Sequence, residues 1–569
     1  MLTALSVIWA VLDFTAPGFA WILITGIGKR LSLFGQAAFS FLFSICFLSF
    51  LTAGFSVLTA DYLLYAGLLP LTSLVIIVVH ILRAGLRSFE AKIGDGSLPL
   101  AVILVVYFFV ILLSFWSAPF YPDTVTVDPA NHAQFVTGIL QGKGASILLR
   151  SYYPTGLHFT AALLASLMPI TALQALRTLL SVVALAGFII AYETAQVMSG
   201  SKRLAVFVAL VAAFAIPVDP SLLISVGLYP NLLADSIILM LLWAILSYLA
   251  QQSPKLGVTL AFLALAGVFD HSSVLLFLGA VWVFAPIVYF LFRPRFRAYL
   301  ESALYSISML TLFAIILLPI YGGNLARLQI YSEIGRPLTL RAFSSVYLTL
   351  WIIFQLYAGT VAVAAIGISI IVFAIRYRGH LGQLLLTAWT ALLMLGAFFT
   401  SQAWRFALFA LVPGYLLVGS LISSSSKLPE LTKIPAKKIA HLIPAAVLLF
   451  LIAAGPFPTL VARSYSPATR ERQTAIADSM QWLSQNGCTD GVVSVGLGSD
   501  YPYLPALTGL RYFGDYEESA AAALNQSSGL GFRCVAVSAQ DHFLLTYGST
   551  AAFEQKYRNS FVVIFTIKH

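Results

Sequence analysis

Residues Phe120–Leu164 read FYPDTVTVDPANHAQFVTGILQGKGASILLRSYYPTGLHFTAALL, and this stretch governs how the rest of the chain is read. It separates two strongly apolar runs and gathers Asp123, Asp128, Asn131, His132, Lys143, Arg150, the Tyr152-Tyr153-Pro154 run and His158. Long connections that carry ionisable groups between apolar runs are more often functional than idle. The flanking runs come close to the ~20 residues a helix needs to cross a bilayer. With 60% hydrophobic residues, 9% charged and a mean hydropathy of +0.93 over 569 residues, the chain has too little polar surface to cover a soluble globule. Backbone groups in hydrocarbon must bond internally, and the runs are too long for the ~10-residue alternating strands of a barrel, so the spans are helices. The sequence thus predicts an all-α polytopic membrane protein with Phe120–Leu164 as its active-site loop.

Apolar runs place about fourteen spans, at residues 1–27, 33–58, 62–84, 98–117, 172–197, 203–217, 232–251, 256–269, 273–291, 299–320, 344–375, 381–400, 405–422 and 441–458. The first run lacks a basic leading segment and is interrupted by Asp13 and Pro17-Gly18, so it is expected to stay as a span. Alternate connections on one side carry most of the cations, including Lys29-Arg30, Arg83, Lys202-Arg203, Arg293 to Arg297 and the Lys427–Lys438 linker after Ser423–Ser426. The opposite connections hold Lys143, Arg150, Arg177, Arg327, Arg336, Arg341 and Arg405. Because cytoplasmic connections are enriched in Lys and Arg, the first set is assigned to the cytoplasm and the Phe120–Leu164 loop to the outside of the plasma membrane. The net charge of +10 follows from this bias and points to membrane lipids as partners, not to nucleic acid.

After Val461 the composition changes to charges, glycines and short apolar β-rich runs. A helical amphipathic pattern covers Arg470–Leu483, and strands are expected at Val492–Val495, Cys534–Ser538 and Phe561–Ile567, which makes a small α/β unit. The parity of spans puts this unit outside. Cys488 and Cys534 both fall in it, either as a disulfide or as two buried thiols, whereas Cys46 lies in a span. The chain is accordingly divided into an N-terminal transmembrane extension of three helices at 1–97, a core at 98–460 with a large outward loop at 118–171, and a soluble extracytoplasmic domain at 461–569.

Asp128-Pro129 reads as a helix start, with Asp128 as the N-cap and Pro129 at the first helical position, where a missing N–H costs nothing. Capping alone would account for the acid. A capped carboxylate is also held still and ionised, one turn from His132, so Asp128 can act as a general base or, with His132 and Asp219, as a ligand of a divalent cation such as Mg2+ or Mn2+. Asp123, in a Tyr-Pro-Asp turn, competes for the same role. Asp219 in Pro217-Val218-Asp219-Pro220 and Asp270-His271 map to the same membrane face. An isolated Asp at a helix centre costs about 2.5 to 3.5 kcal/mol to insert, so acids that gather near hydrocarbon tend to line cavities. Arg177, Arg327, Arg336, Arg341 and Arg405 supply cations there, either for phosphate recognition or as headgroup anchors.

The order of these features, an acidic pair at Asp123 and Asp128, then Tyr152-Tyr153-Pro154-Thr155-Gly156-Leu157-His158, a half-length apolar helix and Arg177 opening the next span, resembles the GT-C fold glycosyltransferases. Those polytopic enzymes use polyprenyl-phosphate sugars. The resemblance covers roughly residues 98–460 and implies Asp128 as the base, the Tyr153-Pro154-Gly156 segment on a membrane-surface helix, Arg177 leading the next span and Asp219 as a further acid. It implies His132, Tyr153, His158, Arg177, Arg341, Arg405, Asp270 and His271 as substrate-binding residues. The partners it implies are a polyprenyl-phosphate sugar donor and an extracytoplasmic glycan, lipid or protein acceptor, joined by an inverting single displacement. The chain departs from the pattern in its 97 leading residues and in having Asp128-Pro129 where an Asp-Glu pair is usual. Ala16-Pro17-Gly18 and His158 resemble an actinobacterial-type membrane family with the same loop logic.

Two rival functions use other residues. A transporter or lipid flippase would employ the intramembrane acids Asp13, Glu193 and Asp235, and a non-catalytic cell-envelope assembly protein would use the C-terminal domain with its acids as caps. The sequence shows no paired inverted halves with interrupted helices at matching positions. The orientation has a direct check: single cysteines in the 118–157 loop and in the domain after Val461 are expected to label from one side, and cysteines in Lys427–Lys438 from the other. Labelling of loop and linker from the same side would overturn the assignment.

Overall fold

The computed structural model describes residues 2–84, 128–150, 155–199, 229–271, 273–291, 293–321, 381–399, 467–486, 492–495, 512–514, 533–539 and 553–567, with isolated positions between them. The spans expected at 98–117, 203–217, 344–375, 405–422 and 441–458 lie largely or wholly outside these residues. In chain order the first helices are α1 (Leu2–Asp13), α2 (Ala16–Thr25), α3 (Leu33–Leu58), α4 (Tyr62–Gly67) and α5 (Leu69–Ala84). The loop region contributes α6 (Asp128–Gly138), a π-helical turn at Ile139–Lys143, α7 (Gly144–Arg150) and α8 (Gly156–Leu167). Then come α9 (Ala172–Ser199), α10 (Tyr229–Gln251), α11 (Pro254–Asp270), α12 (Ser273–Val283), α13 (Ala285–Leu291), α14 (Arg293–Tyr321) and α15 (Leu381–Phe399). Among the described residues, five stretches are long and apolar enough to cross a membrane: Leu5–Thr25, Leu33–Leu58, Tyr62–Arg83, Ala172–Met198 and Leu232–Gln251.

Three runs expected as single helices, 1–27, 62–84 and 273–291, are each broken, and a proline explains each break. Pro17, Pro70 and Pro286 all stand second in the helix that follows the interruption. Inside a continuous helix each would lack the N–H for the carbonyl four residues back and would press its ring on that carbonyl, so the helix stops and restarts with proline in its first turn. Freed backbone groups are answered from neighbouring helices. Trp9 Nε1 of α1 donates to Gly67 O at the end of α4, at 2.9 Å. The run expected at 299–320 instead begins at Arg293, because Pro294 also fits a first turn; Arg293, Arg295 and Arg297 therefore sit on the helix itself.

The centre of the bundle is α3, which packs against α2, α8, α9 and α11. Small residues let these helices approach, as is usual where lipid supplies no hydrophobic drive between helices. Gly18 of α2 lies directly on the Ser40 carbonyl of α3, and its N–H donates to Ser44 Oγ at 2.9 Å. Trp21, Phe43 and Phe262 join α2, α3 and α11, with ring centroids 4.9 Å and 4.7 Å apart along that chain, and Trp21 Nε1 donates to Thr259 Oγ1 at 3.0 Å. At the start of α3, the buried Glu193 of α9 accepts from Ser32 N at 3.2 Å and from Ser32 Oγ. Ser32 in turn caps α3 by accepting from Gly35 N.

In the C-terminal unit the expected helix and three expected strands form, and two strands that were not expected, Tyr512–Gly514 and Phe553–Arg558, join them. Helix α16 (Pro467–Gln485) precedes a five-stranded sheet of β1 (Val492–Val495), β2 (Tyr512–Gly514), β3 (Cys534–Ser538), β4 (Phe553–Arg558) and β5 (Val562–Ile567), in the order β2-β1-β3-β5-β4. Strand β1 runs parallel to β2 and β3, while β5 is antiparallel to β3 and β4. Asn559 makes the β4–β5 turn, its Oδ1 accepting from Phe561 N and Val562 N at 2.9 Å and 2.8 Å. Cys488 and Cys534 are joined as a disulfide.

The packing of Gly18 generates a contrast with Gly279 of α12, around which an added methyl meets nothing within 4 Å. Gly279→Ala is expected to be neutral or slightly stabilising, since alanine favours helix by roughly 0.5–1 kcal/mol. Gly18→Ala must displace the Ser40 backbone and is expected to cost about 2 kcal/mol, read as a lowered thermal unfolding midpoint in detergent.

Candidate active site

Helices α6, α8 and α9 pack on one another, and α3 and α11 close against α8. Each element arrives by local rules. Helix α6 begins at Asp128 itself, one residue earlier than expected, with Pro129 in its first turn. Helix α8 opens at Thr155-Gly156, where His158 N and Phe159 N donate to Thr155 O at 2.9 Å and 3.1 Å. Helix α9 is started by a reciprocal capping box: Thr171 N donates to Gln174 Oε1 at 2.9 Å, and Gln174 N donates to Thr171 Oγ1 at 3.2 Å. That cap places Arg177 one turn into α9.

The first turn of α8 is gripped from two sides. On one side, His158 Nε2 lies 2.8 Å from His132 Nδ1 of α6, and the rings, with centroids 5.0 Å apart, are 0% and 4% exposed. Phe135, one turn beyond His132, sets its ring 5.1 Å from that of His158. On the other side, the Asp270 carboxylate at the end of α11 lies against Gly156, so closely that no side chain fits there. Asp270 is 0% exposed, and Cys46 and Ser49 of α3 face it. Ser49 Oγ donates to its own helix, to Cys46 O at 3.0 Å, and among the described residues neither oxygen of Asp270 receives a hydrogen bond of ordinary geometry. A buried acid left in that state is unusual in a folded protein.

Arg177 is 6% exposed, buried in the bundle, so the headgroup-anchor reading does not apply to it. His271 makes contacts within its own turn: Ser273 N donates to His271 Nδ1 at 3.1 Å, and Ser273 Oγ lies 2.9 Å from the same nitrogen. Of the residues expected at the site, Asp123, Tyr153, Asp219, Arg341 and Arg405 lie outside the described residues, and Asp128 is placed by its backbone. Among the described residues no group of three or more His, Cys, Asp or Glu side chains converges as a metal site. Sequence reasoning missed Gly156 as the contact of Asp270, and it missed Cys46, Ser49 and Tyr62. The Tyr62 hydroxyl donates to Ile139 O where α6 ends. No motif joins these residues, because the contacts bridge elements far apart in the chain.

The acids that a transport pathway would use are dispersed. Glu193 is engaged at the cap of α3, Asp13 is buried at the α1–α2 break, and Asp235 of α10 faces a cavity of about 20 Å³ lined also by Phe277, Leu386 and Trp389. The Gly156–Asp270 contact has a direct test. Gly156→Ala alone is expected to lower the thermal unfolding midpoint, and Gly156→Ala combined with Asp270→Gly should recover most of the loss by making room for the methyl. Equal destabilisation by the single and double variants would show that the contact is not what excludes a side chain at 156.

No family model matches the chain, and no curated protein matches it in sequence. Solved structures do. ArnT from Cupriavidus metallidurans bound to undecaprenyl phosphate aligns at 12% identity over 82% of this chain and 97% of that chain, with a TM-score of 0.52. The apo state of the same protein aligns at 13% identity over 82% and 97%, with a TM-score of 0.53. The oligosaccharyltransferase of Archaeoglobus fulgidus in complex with Zn and sulfate aligns at 12% identity over 77% of this chain and 68% of that one, with a TM-score of 0.52. Both proteins are membrane glycosyltransferases of the GT-C fold. At these identities the likeness is one of architecture, and it establishes that this helical membrane chain with its small C-terminal sheet has the GT-C fold.

Proposed function

We propose that the chain is an integral-membrane glycosyltransferase that moves a sugar from a polyprenyl-phosphate donor to an extracytoplasmic acceptor. The observation that carries this reading is the buried polar contacts on the first turn of α8, where His158 meets His132 and Gly156 meets the Asp270 carboxylate, in a bundle of GT-C fold. The undecaprenyl phosphate bound to ArnT supports a lipid-phosphate donor here. The bias of Lys and Arg toward the opposite connections supports an outward-facing site.

In the proposed reaction an acceptor hydroxyl or amide attacks the anomeric carbon of the donor sugar. The bond between that carbon and the phosphate oxygen breaks, and the lipid phosphate leaves with the electron pair. Asp128 takes the proton of the acceptor, and no second carboxylate is needed as a nucleophile, so the configuration inverts. Arg405, with Arg341 as an alternative, meets the charge that develops on the departing phosphate through the planar fork of its guanidinium. Of the expected cation set His132 turns Nδ1 to His158, so Asp128 and Asp219 are the residues that would hold a divalent cation such as Mg2+ or Mn2+, which would add positive charge beside the phosphate.

Purified protein incubated with a panel of radiolabelled polyprenyl-phosphate sugars is expected to release label from one of them to an acceptor. Asp128→Asn, which still suits a helix start, should preserve expression and folding while lowering transfer by ~10² or more. Full activity in that variant would move the base to Asp123 or Asp219. Arg405→Lys keeps the charge but loses two parallel bonds to phosphate, so it is expected to lower transfer by about tenfold, or ~1.4 kcal/mol, with unchanged stability. A fully active lysine variant would leave Arg405 as a headgroup anchor and pass the role to Arg341.

A further inference from the structure

We infer that His132 and His158 are positioning residues, whose ring-to-ring hydrogen bond fixes the rotation of α6 and so sets where Asp128 stands. The inference rests on the proposed role of Asp128 and adds the device that holds it in place. Asp128 opens α6 and stands one turn before His132. At its far end α6 is held by the Tyr62 hydroxyl on Ile139 O, and just beyond lies the π turn, with Gly142 at φ 80°. Ala133, Val136 and Ile139 bury one face of the segment, but apolar packing is non-directional and a π turn breaks the regular ladder beyond α6. A side-chain bond near the leading end adds the directional constraint on the angle of the helix about its own axis.

The His132–His158 contact suits that task. One imidazole nitrogen must donate and the other accept, so the contact is directional and fails if either ring turns. At 2.8 Å, with both rings buried, water does not compete for it. Phe135, on the same face of α6 as His132, backs the His158 ring and resists its rotation. Because both rings are buried within the protein and packed on each other, they act on the site through α6.

The test uses the full chain in lipid nanodiscs, with a nitroxide attached to Asp128→Cys. The other cysteines do not interfere, since Cys46 is buried and Cys488 and Cys534 are bonded to each other. His132→Ala and His158→Ala are each expected to sharpen the spectrum of the label by freeing α6, and the double variant should be no more mobile than the looser single one. His158→Gln and His132→Asn, whose amides reach the places of Nε2 and Nδ1, should stay near the parent spectrum. Should the alanine variants fail to fold, His158→Asn replaces them, because its shorter amide does not reach His132. A label unaffected by loss of the bond, or affected additively by the two substitutions, overturns the inference.

With Asp128 restored, the alanine variants should lower kcat at least about tenfold and change the donor KM by no more than about twofold. A loss expressed mainly in KM would make the rings substrate contacts and overturn the positioning role. If the wild-type protein transfers no sugar from any donor of the panel, the glycosyltransferase reading falls, and the spectra still decide whether the pair orients α6.

Discussion

Inside this bundle a polar group has no water to fall back on, and the rest of the structure follows from how each one is answered. Backbone groups are served by continuous helices, and where proline interrupts a helix a neighbour supplies the bond, as Trp9 does for Gly67 O. Two hydroxyls on α3 turn to their own backbone, Ser49 to Cys46 O and Ser56 to Ala53 O. Ser44 accepts from Gly18 and so converts a close helix crossing into a bonded one. The carboxylates of Asp13 and Asp270 have no such answer among the described residues, and they stand out against that background. Asp270 is the more telling of the two, because its contact is the turn on which the candidate site is built.

That turn gives α8 its importance. It is short and apolar, twelve residues from Gly156 to Leu167, and it does not span a bilayer by itself. Its first turn instead fixes two neighbours, α6 through the histidine pair and α11 through Gly156. Helix α3, from the first ninety-seven residues, packs on α8, α9 and α11 together. The candidate site is therefore supported by residues remote in sequence from α6 and α8, and a change at Gly18 or Trp21 would reach it through α3.

Much of the fold was legible because its signals are local and repeated. Apolar runs of span length, the helix start at Asp128-Pro129, the amphipathic pattern of α16 and the β-rich runs at Cys534 and Phe561 each announce an element within a few residues. The GT-C likeness was legible from the order of Asp128, Tyr153-Pro154, His158 and Arg177. The breaks in three apolar runs were harder to read, since hydropathy averages over a single proline even when that proline stops the helix. Contacts inside the site were not legible at all. His132 and His158 were both identified as site residues, yet nothing in the spacing of one loop says that their rings meet. Gly156 was read as part of a motif, whereas its lack of a side chain is set by Asp270, more than a hundred positions away.

The C-terminal unit bears on the orientation by an independent route. Cys488 precedes β1, and Cys534 opens β3, the strand parallel to and paired with β1, so the pairing of those strands brings the two cysteines together. From sequence alone the pair could equally have been two buried thiols. A disulfide persists where the surroundings are oxidising and is rare in a reducing cytosol. The distribution of Lys and Arg argues for an outward C-terminal unit from the energetics of membrane insertion, and the disulfide argues for it from redox chemistry. These two arguments share no residue and no physical cause, so their agreement supports the proposed orientation more than either does alone, and with it a site that opens to the outer face.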